Sequence, residues 1–482
     1  MPMTVAEALY SFGWLRLTGA LLLGGPGVLL ASLHPARRRF GFMHMAGLSF
    51  GLTLALWPVI LTWLDPVAVR LNGVSVGAIG AATWAFASLR LFRDGRIRWR
   101  GQLTGARVAH ASVLAVIVFL TAILGLYAVR NEVAGLGSDS YHHTLIAQVI
   151  ADAGGLPKDY SPYAPLVTFR YHFGFHALAA LTSWISGIEL RLLVPIMGQL
   201  LVAAAAFGAA MLARALGGDR VTSIVAAALV GLVFPLPVYM LNWGRFTQLT
   251  GLVLMLVFLA ELSDWVKGGL SPRTLGCVAL LAAGLALAHY RVASMAALGA
   301  LCIWAICGGA PGKQGASLGR QFVLVTCALV LALALVTPWA WRTVISSQPG
   351  YAFDMGPIGP SYFGVDRVGA PILKFFLNPI IVGALLVGAA GAVYSQHRGA
   401  LAMGVWLGAL LLFSHPKIGG GGSSRPDLNT HITAISASSD HGSGLGFLGA
   451  SCADPRPYGT MGNPACRPRL PVGRRSPARP LR

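Results

Sequence analysis

Charge is scarce in this chain. Of its 482 residues only 11% are charged, and just 16 are Asp or Glu. A soluble surface needs far more charge than that, so a water-soluble globular fold is excluded. Cysteine is sparse too: six residues, without paired metal spacing. Cys277, Cys302, Cys307 and Cys327 fall inside apolar runs, where a small hydrophobe is the ordinary reading, and Cys452 and Cys466 fall in the tail. Neither a disulfide framework nor a zinc site follows. The N-terminus lacks a basic n-region and a small-residue cleavage site, so its first apolar run is expected to remain as a span. Strict two-residue alternation is also missing, which excludes an outer-membrane barrel.

What is present is apolar. Hydrophobic residues make up 55% of the chain and its mean hydropathy is +0.68. Runs rich in Leu, Ala, Val and Gly recur from Leu15 to Ser414, each long enough for a hydrocarbon layer of about 30 Å. The expected fold is all-α, a polytopic transmembrane bundle of about twelve spans with a long external loop carrying surface helices. The spans are read at 14–33, 41–63, 73–92, 109–129, 189–213, 221–241, 249–265, 273–288, 293–308, 320–341, 373–394 and 399–414. The pair 273–288 and 293–308 is the shortest, and a broken or re-entrant arrangement is an alternative there. Three regions follow: an accessory three-span region at 1–108, a core at 109–414, and a tail at 415–482.

The formal charge of +20 does not mark a nucleic-acid binder, which needs a contiguous basic face. The basic residues instead form short clusters between spans, such as Arg37-Arg38-Arg39 and Arg93 to Arg100, as cytoplasmic loops do. One orientation satisfies all of them, with the N-terminus external and the chain in a bacterial cytoplasmic (inner) membrane. Residues 130–188 are then external. Within them a helix is expected from Ser140 to Ala153, capped by Ser138 or Asp139 and ended by Gly154-Gly155. Its face of Leu145, Ile146, Val149 and Ile150 suits the membrane surface. Pro157, Pro162 and Pro165 impose an extended run, and a second helix is expected from about His172 to Ile185. From about Pro416 the chain turns rich in Gly, Ser, Pro and Arg, which predicts disorder; a shifted reading frame, a truncated gene and a genuine basic tail are the alternatives.

Four polar groups fall on the external side: Ser138-Asp139-Ser140-Tyr141-His142-His143, Arg170-Tyr171-His172, Asn242 to Gln248, and His289-Tyr290-Arg291. Ionisable residues at a membrane edge are costly and tend to be functional. Arg245 and Arg291 could hold an anion, since guanidinium binds phosphate bidentately, and Asp139 or a histidine could move a proton. The plainer readings are a capping Asp139, snorkelling arginines, and belt aromatics at Trp243 and Tyr290. His142 and His143 point to different helix faces, which disfavours a shared metal; His172 and His176 lie one turn apart, a spacing open to one.

A helix entering a long external loop, with an acidic residue just past the membrane exit followed by a surface helix, resembles the GT-C superfamily of membrane glycosyltransferases. The run Ser138 to His143, Gly154-Gly155-Leu156-Pro157, Tyr171 to His176, Asn242-Trp243-Gly244-Arg245 and His289-Tyr290-Arg291 carry the likeness, over residues 105–414. It implies transfer of a sugar from a polyprenyl-phosphate donor, among membrane lipids, to a glycan, lipid or protein acceptor. It also implies that Asp139 serves as catalytic base or as partner of a divalent cation. Where the family has an acidic pair, Ser138 and Ser140 flank a single Asp139. His142, His143, Tyr171, His172, Asn242, Arg245, Gln248, His289, Tyr290 and Arg291 are the expected substrate contacts. The rival readings are a transporter or flippase for a lipid-linked or anionic substrate, whose polar groups belong near the midplane, and a membrane scaffold.

Overall fold

An uncharged run of Leu, Ala and Val can satisfy its backbone away from water only within a helix or a closed barrel, and this chain builds helices. The computed structural model describes residues 3–34, 42–95, 104–165, 169–267, 272–308, 318–345, 390–391, 394 and 397–414. No strand occurs among them. An N-terminal helical run comprises α1 (Val5–Ala8), a π turn (Leu9–Gly13), α2 (Trp14–Gly19), a 3₁₀ turn (Ala20–Gly24) and α3 (Gly25–Leu33). There follow α4 (Phe42–Leu64), α5 (Gly73–Gly95), α6 (Gly105–Ala128), α7 (Ser138–Ala153), α8 (Gly174–Ser186) and α9 (Leu190–Ala215). Then come α10 (Arg220–Ala228), α11 (Leu236–Asn242), α12 (Phe246–Lys267), α13 (Pro272–Ala288), α14 (Tyr290–Cys307), α15 (Leu318–Ala340) and α16 (Arg398–Ser414).

Among the described residues nine helical stretches are long and apolar enough to cross a membrane: Trp14–Leu33, α4, α5, α6, α9, the α10–α11 stretch, α12, α14 and α15. Two shorter apolar helices, in α13 and α16, fall where the spans 273–288 and 399–414 are expected. The expected span 373–394 and the tail lie outside the described residues, save for a few positions at the end of the former. The expected break near 289 is a single residue, His289, whose Nδ1 accepts from the Val292 amide (3.3 Å) and caps α14.

Burial separates core helices from rim helices. α12 and α9 pack against each other at the centre, with buried side chains around most of their circumference. α6 and α15 sit at the rim and turn Phe119, Phe322 and Leu329 outward, each about 60% exposed. Apolar surface on that scale is unstable in water and at no disadvantage against lipid tails. The chain is therefore a multi-pass, all-helical membrane protein.

The two non-spanning helices correct the sequence reading. α8 does not lie on a surface. Phe173 before it and Phe175, His176, Ala177, Leu178 and Leu181 within it are all buried, because α8 sits amid α2, α4, α5, α9, α12 and α13. The apolar face of α7, with Ile146, Val149 and Ile150 buried, packs on α8 rather than lipid. Gly154 ends α7 in the left-handed conformation, as expected, but no side chain caps its start. The helix begins at Ser138 behind Gly137, and Asp139 has another partner.

Candidate functional site

Four segments far apart in sequence meet at one end of the bundle: the start of α7, the extended residues before α8, the turn between α11 and α12, and the break between α13 and α14. Backbone conformation brings the first and third together. Gly137 and Gly244 both have φ of +73°, a region that costs other residues about 1–2 kcal/mol. A Cβ on Gly137 would lie 2.6 Å from the Asn242 carbonyl oxygen, and one on Gly244 would strike the Ser140 amide nitrogen. Only glycine lets the two turns touch.

Across that contact Asp139 Oδ2 lies 3.3 Å from Arg245 Nε, the two side chains 13% and 22% exposed. The Arg245 Nε atom itself is buried and completes no hydrogen bond. Behind the pair, His143 follows Asp139 by one helical turn and bonds through Nδ1 to His176 Nε2 (2.8 Å). The His143 ring also lies 6.0 Å from those of Tyr171 and Phe246, and Phe246 stacks on Phe175 at 5.3 Å. Burial, reinforced by the Arg245 and His142 charges, holds the His143 imidazole down at about 3. Burial likewise pushes His172 and His176 well below the usual imidazole range. All three are neutral at physiological pH.

From here a chain of rings leads to the second arginine. Tyr171 stacks on His172 at 4.0 Å, and His172 meets His289 at 4.8 Å and Tyr290 at 5.7 Å. His172 Nε2 also pairs with Thr247 Oγ1 at 3.2 Å, tying this segment to α12. Arg291 donates from Nε to the Tyr290 hydroxyl (3.3 Å). Tyr171 feels both ends of the cluster: burial pushes its hydroxyl up to about 12, Asp139 adds to the rise, and Arg245 and Arg291 pull the other way.

Of the expected contacts, Asp139, His143, Tyr171, His172, Arg245, His289, Tyr290 and Arg291 thus form one cluster. His142 sits half-buried on another face of α7, as expected. Asn242 is exposed at the end of α11 and contributes its backbone, while Gln248 is buried near the start of α12. His176 completes the cluster; its place one turn after His172 was the signal available.

A divalent cation does not fit the described residues. Asp139 faces a guanidinium already, and no group of three or more His, Cys, Asp or Glu among the described residues could hold a metal.

The opposite end of the bundle holds a polar cluster that sequence reasoning missed. Glu261, fully buried in α12, pairs with His34 Nε2 (2.8 Å) and His44 Nε2 (3.3 Å), and His44 Nδ1 reaches Asp264 (3.4 Å). Nearby, Lys267 and Ser263 both donate to the Ala215 carbonyl. The signal was a glutamate inside the apolar run 249–265, since ionisable residues in spans are rare and partnered.

No protein-family model, curated protein or solved structure matches the chain.

Proposed function

We propose that this protein is a membrane glycosyltransferase that moves a sugar from a polyprenyl-phosphate donor to an acceptor on the external face. The fuller arrangement belongs to the same reading: about twelve spans in a bacterial cytoplasmic membrane, with the N-terminus and the Asp139 end outside. The observation that carries it is the state of Arg245. Its Nε is buried beside Asp139 without a completed hydrogen bond, and a buried unsatisfied donor marks a place for a missing partner. An anion entering from the lipid supplies that partner, and a phosphate satisfies a guanidinium better than a misaligned carboxylate does.

In this mechanism the donor phosphate takes Arg245 and releases Asp139. Asp139 accepts the acceptor's hydroxyl proton as that oxygen attacks the anomeric carbon. The bond from the anomeric carbon to the phosphate oxygen breaks, and its electron pair leaves with the polyprenyl phosphate. Negative charge grows on the phosphate along this path, so fixed guanidinium groups at Arg245 and Arg291 lower the barrier rather than merely bind. The resemblance to GT-C enzymes supports the reading through Asp139 alone.

The test is transfer of a labelled sugar by the purified protein in proteoliposomes, over a panel of polyprenyl-phosphate sugars and acceptors. Turnover is expected with at least one pair; none across the panel counts against the proposal.

A second reading, a carrier for an anionic or lipid-linked substrate, has one observation in its favour: the buried Glu261 between His34 and His44 resembles the proton-handling groups of transporters. Substrate-dependent proton uptake into proteoliposomes, lost in Glu261→Gln, would favour it over transfer.

A further inference from the structure

The deepest part of the cluster constrains which nitrogen of each imidazole carries hydrogen. His176 is fully buried, with the backbone carbonyls of His172 and Phe173 beside its ring; since Nε2 is engaged by His143, Nδ1 is the nitrogen left to face them, and it closes no regular hydrogen bond. A lone pair aimed at carbonyl oxygens is repulsive, whereas an N–H there is attractive. Burial keeps the ring neutral, so it has one hydrogen to place, and that hydrogen belongs on Nδ1. Its Nε2 is then bare and can only accept. The 2.8 Å contact with His143 Nδ1 therefore requires His143 to donate. His143 is 3% exposed and also neutral, so its own Nε2 is bare in turn.

We propose that His176 is a positioning residue that holds His143 in its Nδ1–H tautomer, leaving His143 Nε2 as a hydrogen-bond acceptor for a hydroxyl of the ligand that Arg245 binds. Two neighbours place this acceptor in the site. His143 follows Asp139 by one turn of α7, and its ring lies beside Phe246, the residue after Arg245. The ligand class narrows accordingly: a phosphate for the guanidinium, with a hydroxyl donor close to it, as a glycosyl phosphate has. His143 orients that hydroxyl and does not take its proton, because its imidazole stays neutral. The ligand half of the inference rests on the proposed function; the tautomer half does not.

The tautomer is read by nitrogen-15 NMR of histidine-labelled full-length protein in nanodiscs, with His143→Gln assigning the signal. A protonated Nδ1 and a bare Nε2, unchanged from about pH 7 to about pH 5, are expected for His143. Protonated Nε2, or an imidazolium in that range, overturns the proposal, and the native spectrum alone decides it if variants fail to fold. In His176→Phe the signal should move toward the Nε2–H form or exchange between forms. In His176→Gln, whose amide oxygen can accept the same bond, the native signature should return. A lock that survives His176→Phe overturns the positioning role.

The ligand half is tested with two probes, a sugar 1-phosphate and inorganic phosphate. The native protein should hold the sugar phosphate about tenfold more tightly, the worth of one hydrogen bond, and His143→Phe should erase that preference. An unchanged preference in His143→Phe overturns the hydroxyl contact while the tautomer stands. Binding of neither probe overturns the ligand half together with the anion-holding role of Arg245, and again leaves the tautomer result intact.

Discussion

Asp139 and Arg245 stand 106 positions apart in the chain, yet Oδ2 of the first lies 3.3 Å from Nε of the second. The contact exists because two glycine turns, one preceding each residue, press backbone to backbone. Each turn alone is ordinary. Together they put a carboxylate and an incompletely satisfied guanidinium at the mouth of a nest of neutral imidazoles.

Removing one partner of that pair should expose its worth. Arg245→Leu leaves the Asp139 carboxylate without its counter-charge, and Asp139→Asn leaves a milder mismatch. Both groups keep some access to solvent, so the expected loss for Arg245→Leu is about 1–3 kcal/mol, smaller than for a fully buried pair. Thermal unfolding in detergent measures it. Equal midpoints for native protein and Arg245→Leu would show that the pair contributes nothing.

Gly244→Ala combines an unfavourable φ with a collision against the Ser140 backbone. Strain of about 1–2 kcal/mol is expected, and the two turns should part. The readout is phosphate binding, which should fall while the helical circular dichroism signal stays. Gly276→Ala serves as control, since a Cβ there meets open space.

Acid should loosen the site. His143 titrates near 3 in the folded protein against about 6.5 unfolded. A depressed imidazole means that the unfolded chain binds the extra proton first. Stability is therefore full above about pH 6.5 and falls as pH drops toward 3. From pH 7 to pH 5 this residue alone removes about 2 kcal/mol, and His172 and His176 shift the same way. The unfolding midpoint should drop over that interval, and less steeply in His143→Gln. A flat profile in the native protein would contradict the burial of neutral imidazoles.

The cluster at the other end makes a separate prediction. Glu261→Leu removes the buried carboxylate that His34 and His44 share, and removing one partner of a buried pair costs about 3–5 kcal/mol. His34→Leu together with Glu261→Leu should cost less than the sum of the two, because the cycle removes a direct contact. Simple additivity would mean that the 2.8 Å contact carries no energy.

Much of the fold was legible because the membrane imposes a simple rule: a long uncharged run becomes a helix. Expected spans such as 73–92 and 249–265 therefore coincide with α5 and α12. The two non-spanning helices were legible as helices but not in their placement. Nothing local to Phe175, Leu178 and Leu181 distinguishes a face meant for lipid from one meant for other helices; only the contacts with α4, α9 and α12 decide it. Asp139 and Arg245 were each legible as polar residues at a membrane edge, whereas their pairing depends on two glycine turns meeting in space. His34 and His44 gave no signal at all, because their partner Glu261 lies 227 and 217 residues away.

The most direct measurement is sugar transfer by native protein and by Asp139→Asn, each with donor binding measured alongside. Asp139→Asn is expected to bind polyprenyl-phosphate donor as the native protein does and to lose turnover by at least about a hundredfold, as removal of a general base does. Transfer at the native rate by Asp139→Asn would contradict that role.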